Sequence, residues 1–308
     1  MLLENCIFTR HKKMNMKRTY FIISACLLAI IICSCNRENE PKVIRNAVKD
    51  YDGNSYDAVR IGSQVWMKSN LRTTHYADGT PIAPSISQLN HTPGYYEVPG
   101  SDVSTCGLFY NWYATVRDTT ATGQVQGVCP KGWHVPNDQD WQTLIYYASS
   151  HYGNIHYNDN CAARSLASDV GWEFAPTVNE DSLHHVYDSL CANDPNWDPN
   201  IPWEESWEYA YCQELVETHQ YCPGADPSKN NNTQFTAIPV GGNYVGTESL
   251  VDFGRYCFFW SSVHSDYWEG AAHCMGLYTG SPSAYLYDDD FYGGRDRGFG
   301  CSVRCIRD

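Results

Sequence analysis

Gly127-Val128-Cys129-Pro130-Lys131-Gly132-Trp133-His134-Val135-Pro136-Asn137-Asp138-Gln139-Asp140-Trp141-Gln142-Thr143-Leu144 places a cysteine, two prolines, two tryptophans and a helix start in one short run. Pro136 ends whatever strand carries Trp133 and Val135. Asn137 then offers a side-chain oxygen as helix cap, and Asp140, at the third helical position, favours the positive end of the helix. Trp141, Leu144, Ile145 and Ala148 fall at i, i+3, i+4 and i+7, so one stripe is expected in a core while Asp138, Gln142 and Thr143 face water.

Upstream, Val59, Ile61 and Val65-Trp66 alternate around Gly62, which reads as a hairpin at the edge of the domain, with Trp66 in the core. Residues 79–105 are rich in Pro, Gly and Ser and read as a long loop, and Leu108 to Val116 is apolar and aromatic. Beyond the capped helix, Cys161 to Ala167 reads as a second short helix. The closing residues read as strands over Cys257–Ser262, His273–Tyr278, Ala284–Tyr287 and Gly300–Ile306. In the last of these, Cys301, Val303 and Cys305 share one face, while Ser302, Arg304 and Ile306 share the other. Cys301 and Cys305 would lie about 13 Å apart at roughly 3.3 Å per residue. That exceeds the about 7 Å a bridge tolerates, so each needs a different partner.

The run GVCPKGWHVPNDQDWQTL, with VRIGSQVWMKSNLRTT before it, LFYNWYATV between, and FFWSS and GFGCSVRCIRD at the end, resembles the Fibrobacter succinogenes major paralogous domain. The resemblance covers about Tyr51 to Asp308. It implies a domain of bacterial lipoproteins without an assigned activity. A weaker architectural likeness to C-type-lectin-like and formylglycine-generating-enzyme folds implies an α+β domain: irregular antiparallel sheets, two short helices, long loops and disulfides. On the same likeness Cys129 and Cys305 are expected to pair, tying the helix entrance to the final strand. This chain departs from the family pattern between about residues 173 and 234, where Trp203, Trp207, Tyr211 and Leu215 recur every four within an inserted amphipathic helix that begins at Pro202.

The amino terminus is basic (Arg10, Lys12, Lys13, Lys17, Arg18) and then apolar from Tyr20 to Ile32, the layout of a secretory signal. The apolar run is shorter than the about 20 residues that span a bilayer. Ile32-Cys33-Ser34-Cys35 resembles a lipobox with Cys35 as the lipidated residue, and cleavage without lipidation is the alternative. The expected organisation is therefore a leader over 1–35, a tether over 36–50 and the domain over 51–308. The implied home is the cell envelope: an outer-membrane-anchored lipoprotein, periplasmic or surface-exposed, with the membrane as partner through its lipid.

Without the leader the chain keeps 16 of its 21 Lys/Arg and 34 of its 35 Asp/Glu, a net charge of −18. A surface so acidic repels phosphate backbones, which excludes nucleic acid as a partner. Ten cysteines remain after the leader, and an even number in an exported chain points to disulfides. Zinc would want closer CxxC-type pairs.

Catalytic patterns are few. HSDYWEGAAH, from His264 to His273, lacks the HExxH spacing; no GxSxG, P-loop or dinucleotide fingerprint occurs. His134 is either a base or a histidine packed at a strand–helix junction, and the second fits a segment with no nucleophile beside it. Cys301 and Cys305 invite comparison with a reactive thiol pair, against ordinary bridging. The most suggestive cluster is Asp288-Asp289-Asp290 among Tyr285, Tyr287, Phe291 and Tyr292. Clustered carboxylates suit calcium, and rings suit sugar faces. The plain alternative is a solvated acidic turn. Ligand contacts are expected from Trp260, Trp268, Tyr285, Tyr287 and Tyr292, on loops rather than at His134. Two functions follow: a binding or adhesion module for glycans or another surface protein, or an envelope enzyme with a small set of indispensable polar residues.

Overall fold

A computed structural model describes residues 40–84, 92–98, 100–153, 155–156, 159–175, 216–243, 250–289 and 293–308. The leader with Cys35, most of the insertion with its expected helix, Cys191, Cys212, Asp290 and Tyr292 lie outside these residues. The strands that position the site are β1 (Lys42–Lys49), β2 (Ser55–Ile61), β3 (Gln64–Met67), β4 (Trp133–His134), β5 (Tyr256–His264), β6 (Ala271–Tyr278), β7 (Ala284–Tyr287), β8 (Arg295–Asp296) and β9 (Ile306–Arg307). The helices are α1 (Trp112–Val116), α2 (Asp138–Tyr152) and α3 (Ala163–Leu166).

The largest sheet runs β1-β2-β3-β9-β4, and the next runs β5-β6-β7 with β8 also on β6, all pairs in these two antiparallel. The fold is α+β. Two expectations change here. Residues 42–49, expected within a tether, form strand β1 with register Val43↔Val59, because Ile44, Ala47 and Val48 pack on the core. That strand moves the β2–β3 hairpin from the edge into the sheet's interior. The loop expected over 79–105 also carries short strands, Ala83–Pro84 and Gly94–Glu97, and a helical turn at Val103–Cys106.

Helix α2 starts as its sequence dictates. Asn137 Oδ1 accepts from the Asp140 amide at 3.0 Å while Asp140 Oδ2 accepts from the Asn137 amide at 3.0 Å, closing a capping box. Its buried stripe is Trp141, Leu144, Ile145, Ala148 and Ser149. Trp66 stacks on Trp141 with centroids 4.8 Å apart, and Phe235 meets both edge-on. This helix-side core is separated by β5 from a second core, with Cys257 and Phe259 facing α2 and Phe258 and Trp260 facing the other way.

The final segment alternates as its sequence implies: Cys301, Val303 and Cys305 enter the second core, and Ile306 enters the first. Cys305 bridges Cys129 across 176 residues, with Cα atoms 5.9 Å apart. Among the described residues this is the one bridge, which corrects the expectation of a disulfide network. Cys106, Cys222, Cys257, Cys274 and Cys301 are buried thiols that fill core positions as small apolar groups. Cys257 faces α2 while Cys274 and Cys301 face the opposite core, so side-chain direction alone keeps the first apart from the other two.

Arg304 is fully buried. Its guanidinium donates to Met67 O (3.2 Å), Asn70 Oδ1 (2.6 Å), Thr236 O (3.3 Å) and Phe235 O, and lies over the rings of Phe235 and Phe259. Burial pushes its pKa down to about 9, which leaves it charged at neutral pH. Removing it strands several buried acceptors, so Arg304→Ala is expected to lower the unfolding free energy by about 3 kcal/mol or more. Opening the bridge by Cys129→Ser with Cys305→Ser is expected to cost about 2 to 5 kcal/mol. Urea denaturation of each variant measures both.

Candidate functional site

The β5–β6 hairpin pairs regularly from Tyr256↔Tyr278 to Trp260↔Cys274, shifts register, and resumes at His264↔Ala272. The irregularity re-aims residues 261–263. Ser262 N donates to Pro136 O at 2.8 Å, and Ser261 Oγ donates to Asp138 Oδ1 at 2.6 Å. Asp138, expected to face water from the first turn of α2, therefore turns inward. Its other oxygen, Oδ2, lies 2.7 Å from Nδ1 of His273 on β6.

His273 is 5% exposed. Its Nε2 lies 3.5 Å from Asp289 Oδ1, a charge contact too long and misaligned to count as a hydrogen bond. Asp289 also takes the Ser265 hydroxyl on Oδ1 and the Asp266 amide on Oδ2, the latter at 3.0 Å. Ser265 Oγ in turn accepts from the Trp268 amide at 2.8 Å. A chain of contacts thus runs from the start of α2 through His273 and Asp289 to the hairpin tip. The Ser265 hydroxyl first, then the Asp266 amide and His273, outweigh partial burial and hold the Asp289 carboxyl at about 2.

At that tip Tyr267 is 84% exposed and Trp268 is 61% exposed. Trp268 is nonetheless seated: Gly293, at φ 64°, passes so close that a Cβ there would fall 2.0 Å from the indole Cδ1. The indole rests on this backbone and keeps a large accessible surface. Asp266 and Glu269 are exposed beside it, and His264 lies 3.5 Å from Asp266.

The sequence-expected site residues divide. Trp268 is exposed and belongs to the tip. Trp260 does not: it is fully buried, its Nε1 donating to Tyr110 O at 2.7 Å, because it sits in the regular part of the ladder between the cores. Tyr287 is half-buried, edge-on to Phe258 and under the Arg295 guanidinium. Tyr285 is also half-buried, and its hydroxyl hydrogen-bonds Ser281 at 2.7 Å. Asp288 and Asp289 are half-exposed, with the Gly293 amide closing their loop on Asp288 O. Both Asp289 oxygens are engaged by protein groups, and among the described residues no three His, Cys, Asp or Glu side chains converge to hold a metal ion. Tyr267, Ser265 and Asp266 were not singled out in the sequence; the signal was the SDYWEG tip between two apolar strands.

His134 is packed, as its junction position suggested. It is buried, with Nδ1 2.9 Å from Asp308 Oδ1 and Nε2 3.4 Å from Asp140 Oδ2. The reactive-thiol comparison fails on geometry: Cys305 is bridged, and burial drives the fully buried Cys301 thiol well above its ordinary value, the reverse of what a nucleophile needs.

The profile of the Fibrobacter succinogenes major domain matches residues 59–307, and the chain belongs to that family. No curated sequence and no solved structure matches it.

Burial opposes charge on His273 and His134, but the carboxylates beside each outweigh it and raise both pKa values. A raised folded-state pKa gives stability that is complete below the unfolded value of about 6.5 and lost as pH rises through the folded value. Asp289 titrates far below that window. The denaturation midpoint is therefore expected to fall as pH is raised from about 6 towards the alkaline side of both histidines. His273→Gln and His134→Gln should each flatten the fall, and the double variant most; urea titrations across pH measure it.

Proposed function

We propose that this member of the Fibrobacter succinogenes major domain family is a cell-envelope lipoprotein that binds glycans through the Tyr267–Trp268 tip of the β5–β6 hairpin. The observation that carries the reading is the pairing of exposure with support. Two large rings stand open side by side at one hairpin tip, and a fixed ring loses little conformational entropy when a ligand covers it. Trp268 has its amide on Ser265 and its ring on Gly293, so its free face is held ready for the apolar face of a pyranose. Asp266, Glu269 and His264 surround it with groups suited to sugar hydroxyls.

A lectin-like arrangement is our finer reading of the α+β fold: two sheets, one long capped helix and a bridge from the helix entrance to the closing strand support it. The binding we assign to the rings rather than to calcium, since the middle carboxylate of the Asp288–Asp290 run is spent on holding the tip. In this reading the chain reaches the envelope by lipidation of Cys35, which follows the apolar run and Ser34. Its acyl chains then hold it on a membrane. No helix among the described residues is long and apolar enough to cross one.

Glycan-array screening followed by calorimetric titration tests the site. Trp268→Ala is expected to weaken binding by about tenfold or more, and Tyr267→Ala by less, with melting temperature unchanged because both rings lie outside the cores. EDTA should leave affinity unaltered. Undiminished binding by the Trp268→Ala protein would move the site elsewhere. For the anchor, Cys35→Ala should appear in the soluble fraction or as uncleaved precursor, and normal mature membrane-bound material would refute lipidation.

A further inference from the structure

A second pocket lies away from the hairpin tip, where the turn after β1 meets the Cys129-Pro130-Lys131 turn. It is open, has a volume of about 210 Å³, and is lined by Lys49, Asp50, Tyr51, Ala77, Pro130 and Lys131. Its charge is unlike that of the chain as a whole. Lys49 and Lys131 are exposed, and neither forms an ion pair among the described residues, although acids outnumber bases by 35 to 21 in the sequence. The acid on its wall is already satisfied: the buried Asp50 carboxylate accepts from the Asn54 amide (2.9 Å), Asn54 Nδ2 (2.8 Å) and the Tyr56 hydroxyl (2.6 Å). The pocket therefore sets two lysines against one carboxylate whose acceptor sites are occupied, beside the ring of Tyr51, which is 59% exposed.

These groups stand on fixed backbone. Asp52, next to Tyr51, holds the facing strand end through the Thr73 and Thr74 hydroxyls (3.0 Å each), the Thr74 amide and His75 Nδ1 (2.6 Å). Tyr51 leans on the His75 ring, with centroids 5.4 Å apart, and covers Gly79, whose φ is +87° and where a Cβ would lie 2.7 Å from the tyrosine oxygen. On the opposite wall Lys131 follows the bridged Cys129 by two residues, in a turn closed by the Trp133 amide on Pro130 O at 3.1 Å.

We propose that this pocket binds the carboxylate-bearing ring of an acidic sugar, a uronate. Two compact ammonium charges suit a carboxylate without demanding the planar two-pronged geometry of arginine. The tyrosine face supplies stacking that a bare anion cannot use. At about two-thirds of the smallest drug-sized pockets, which begin near 300 Å³, the volume takes one ring, and the open side lets a chain continue. The site is independent of the hairpin-tip reading and uses none of its residues.

Calorimetric titration with methyl glucuronide, methyl glucoside and inorganic phosphate tests it, run on the wild-type protein and on the Trp268→Ala variant so that the two sites are scored separately. Saturable binding of the glucuronide is expected in both proteins, with the glucoside at least about tenfold weaker and added salt lowering glucuronide affinity. Lys49→Ala with Lys131→Ala should weaken the glucuronide about tenfold or more, and Tyr51→Ala should weaken it while leaving phosphate unaffected. All three side chains are exposed, so melting temperature should hold. Failure of the wild type to bind the glucuronide, equal affinity for glucoside, or binding unchanged by the double lysine variant would each overturn the proposal. So would phosphate binding as tightly as the glucuronide with no effect of Tyr51→Ala, the mark of a simple anion site.

Discussion

A fully buried cation joins three segments that are far apart in this chain. Arg304 joins the β3 exit, through Met67 and Asn70, to the Phe235–Thr236 segment and does so from the residue before the bridged Cys305. Burying a guanidinium is costly unless its donors are met, and here four acceptors meet its two terminal nitrogens and two aromatic faces flank it, leaving only Nε without a hydrogen bond among the described residues. The arrangement also fixes topology. Strand β9 lies between β3 and β4, so the amino-terminal hairpin and the first aromatic strand share a sheet only once the last residues arrive. Contacts so distant in sequence favour slow, cooperative assembly over stepwise assembly from one end.

From that centre the order reaches the surface through α2. The capping box sets where the helix begins, and its first-turn Asp138 is consequently in place to take Ser261 on one oxygen and His273 on the other. His273 then faces Asp289, which holds Ser265 and Asp266. The exposed rings at the hairpin tip are thus set on a base of hydrogen bonds that a charge contact between His273 and Asp289 links to the core.

The cysteines show how composition misleads. An even count, in a chain expected to be exported, suggests disulfides, yet the described part of the domain has one bridge and several thiols buried as core residues. Cysteine is small and apolar enough to serve a core without bonding. Whether two of them pair depends on which face of a strand each occupies and what stands opposite.

Local chemistry was legible in the sequence by itself. The Asn137 cap with Asp140, the buried stripe of α2, the first three of the four closing strands and the split of residues 301–306 between two faces all follow from backbone periodicity and side-chain oxygen placement, which need only near neighbours, whereas the expected strand over Gly300–Ile306 forms only at Ile306–Arg307. The family, too, could be read from short motifs in order. Only the tertiary structure decided what covers each face. Trp260 and Trp268 look alike in sequence, but the first lies inside a ladder flanked by two cores and the second beyond a register shift, resting on the Gly293 backbone with most of its surface open. Asp138 looked like a solvent-facing helix residue until β5 and β6 supplied its partners, and the face that Arg304 shares with Ile306 was not known as buried until Phe235 and Phe259 closed around it. Periodicity assigns a residue to a face; burial is decided by the distant segment that meets that face, and that meeting is written in no local stretch of the chain.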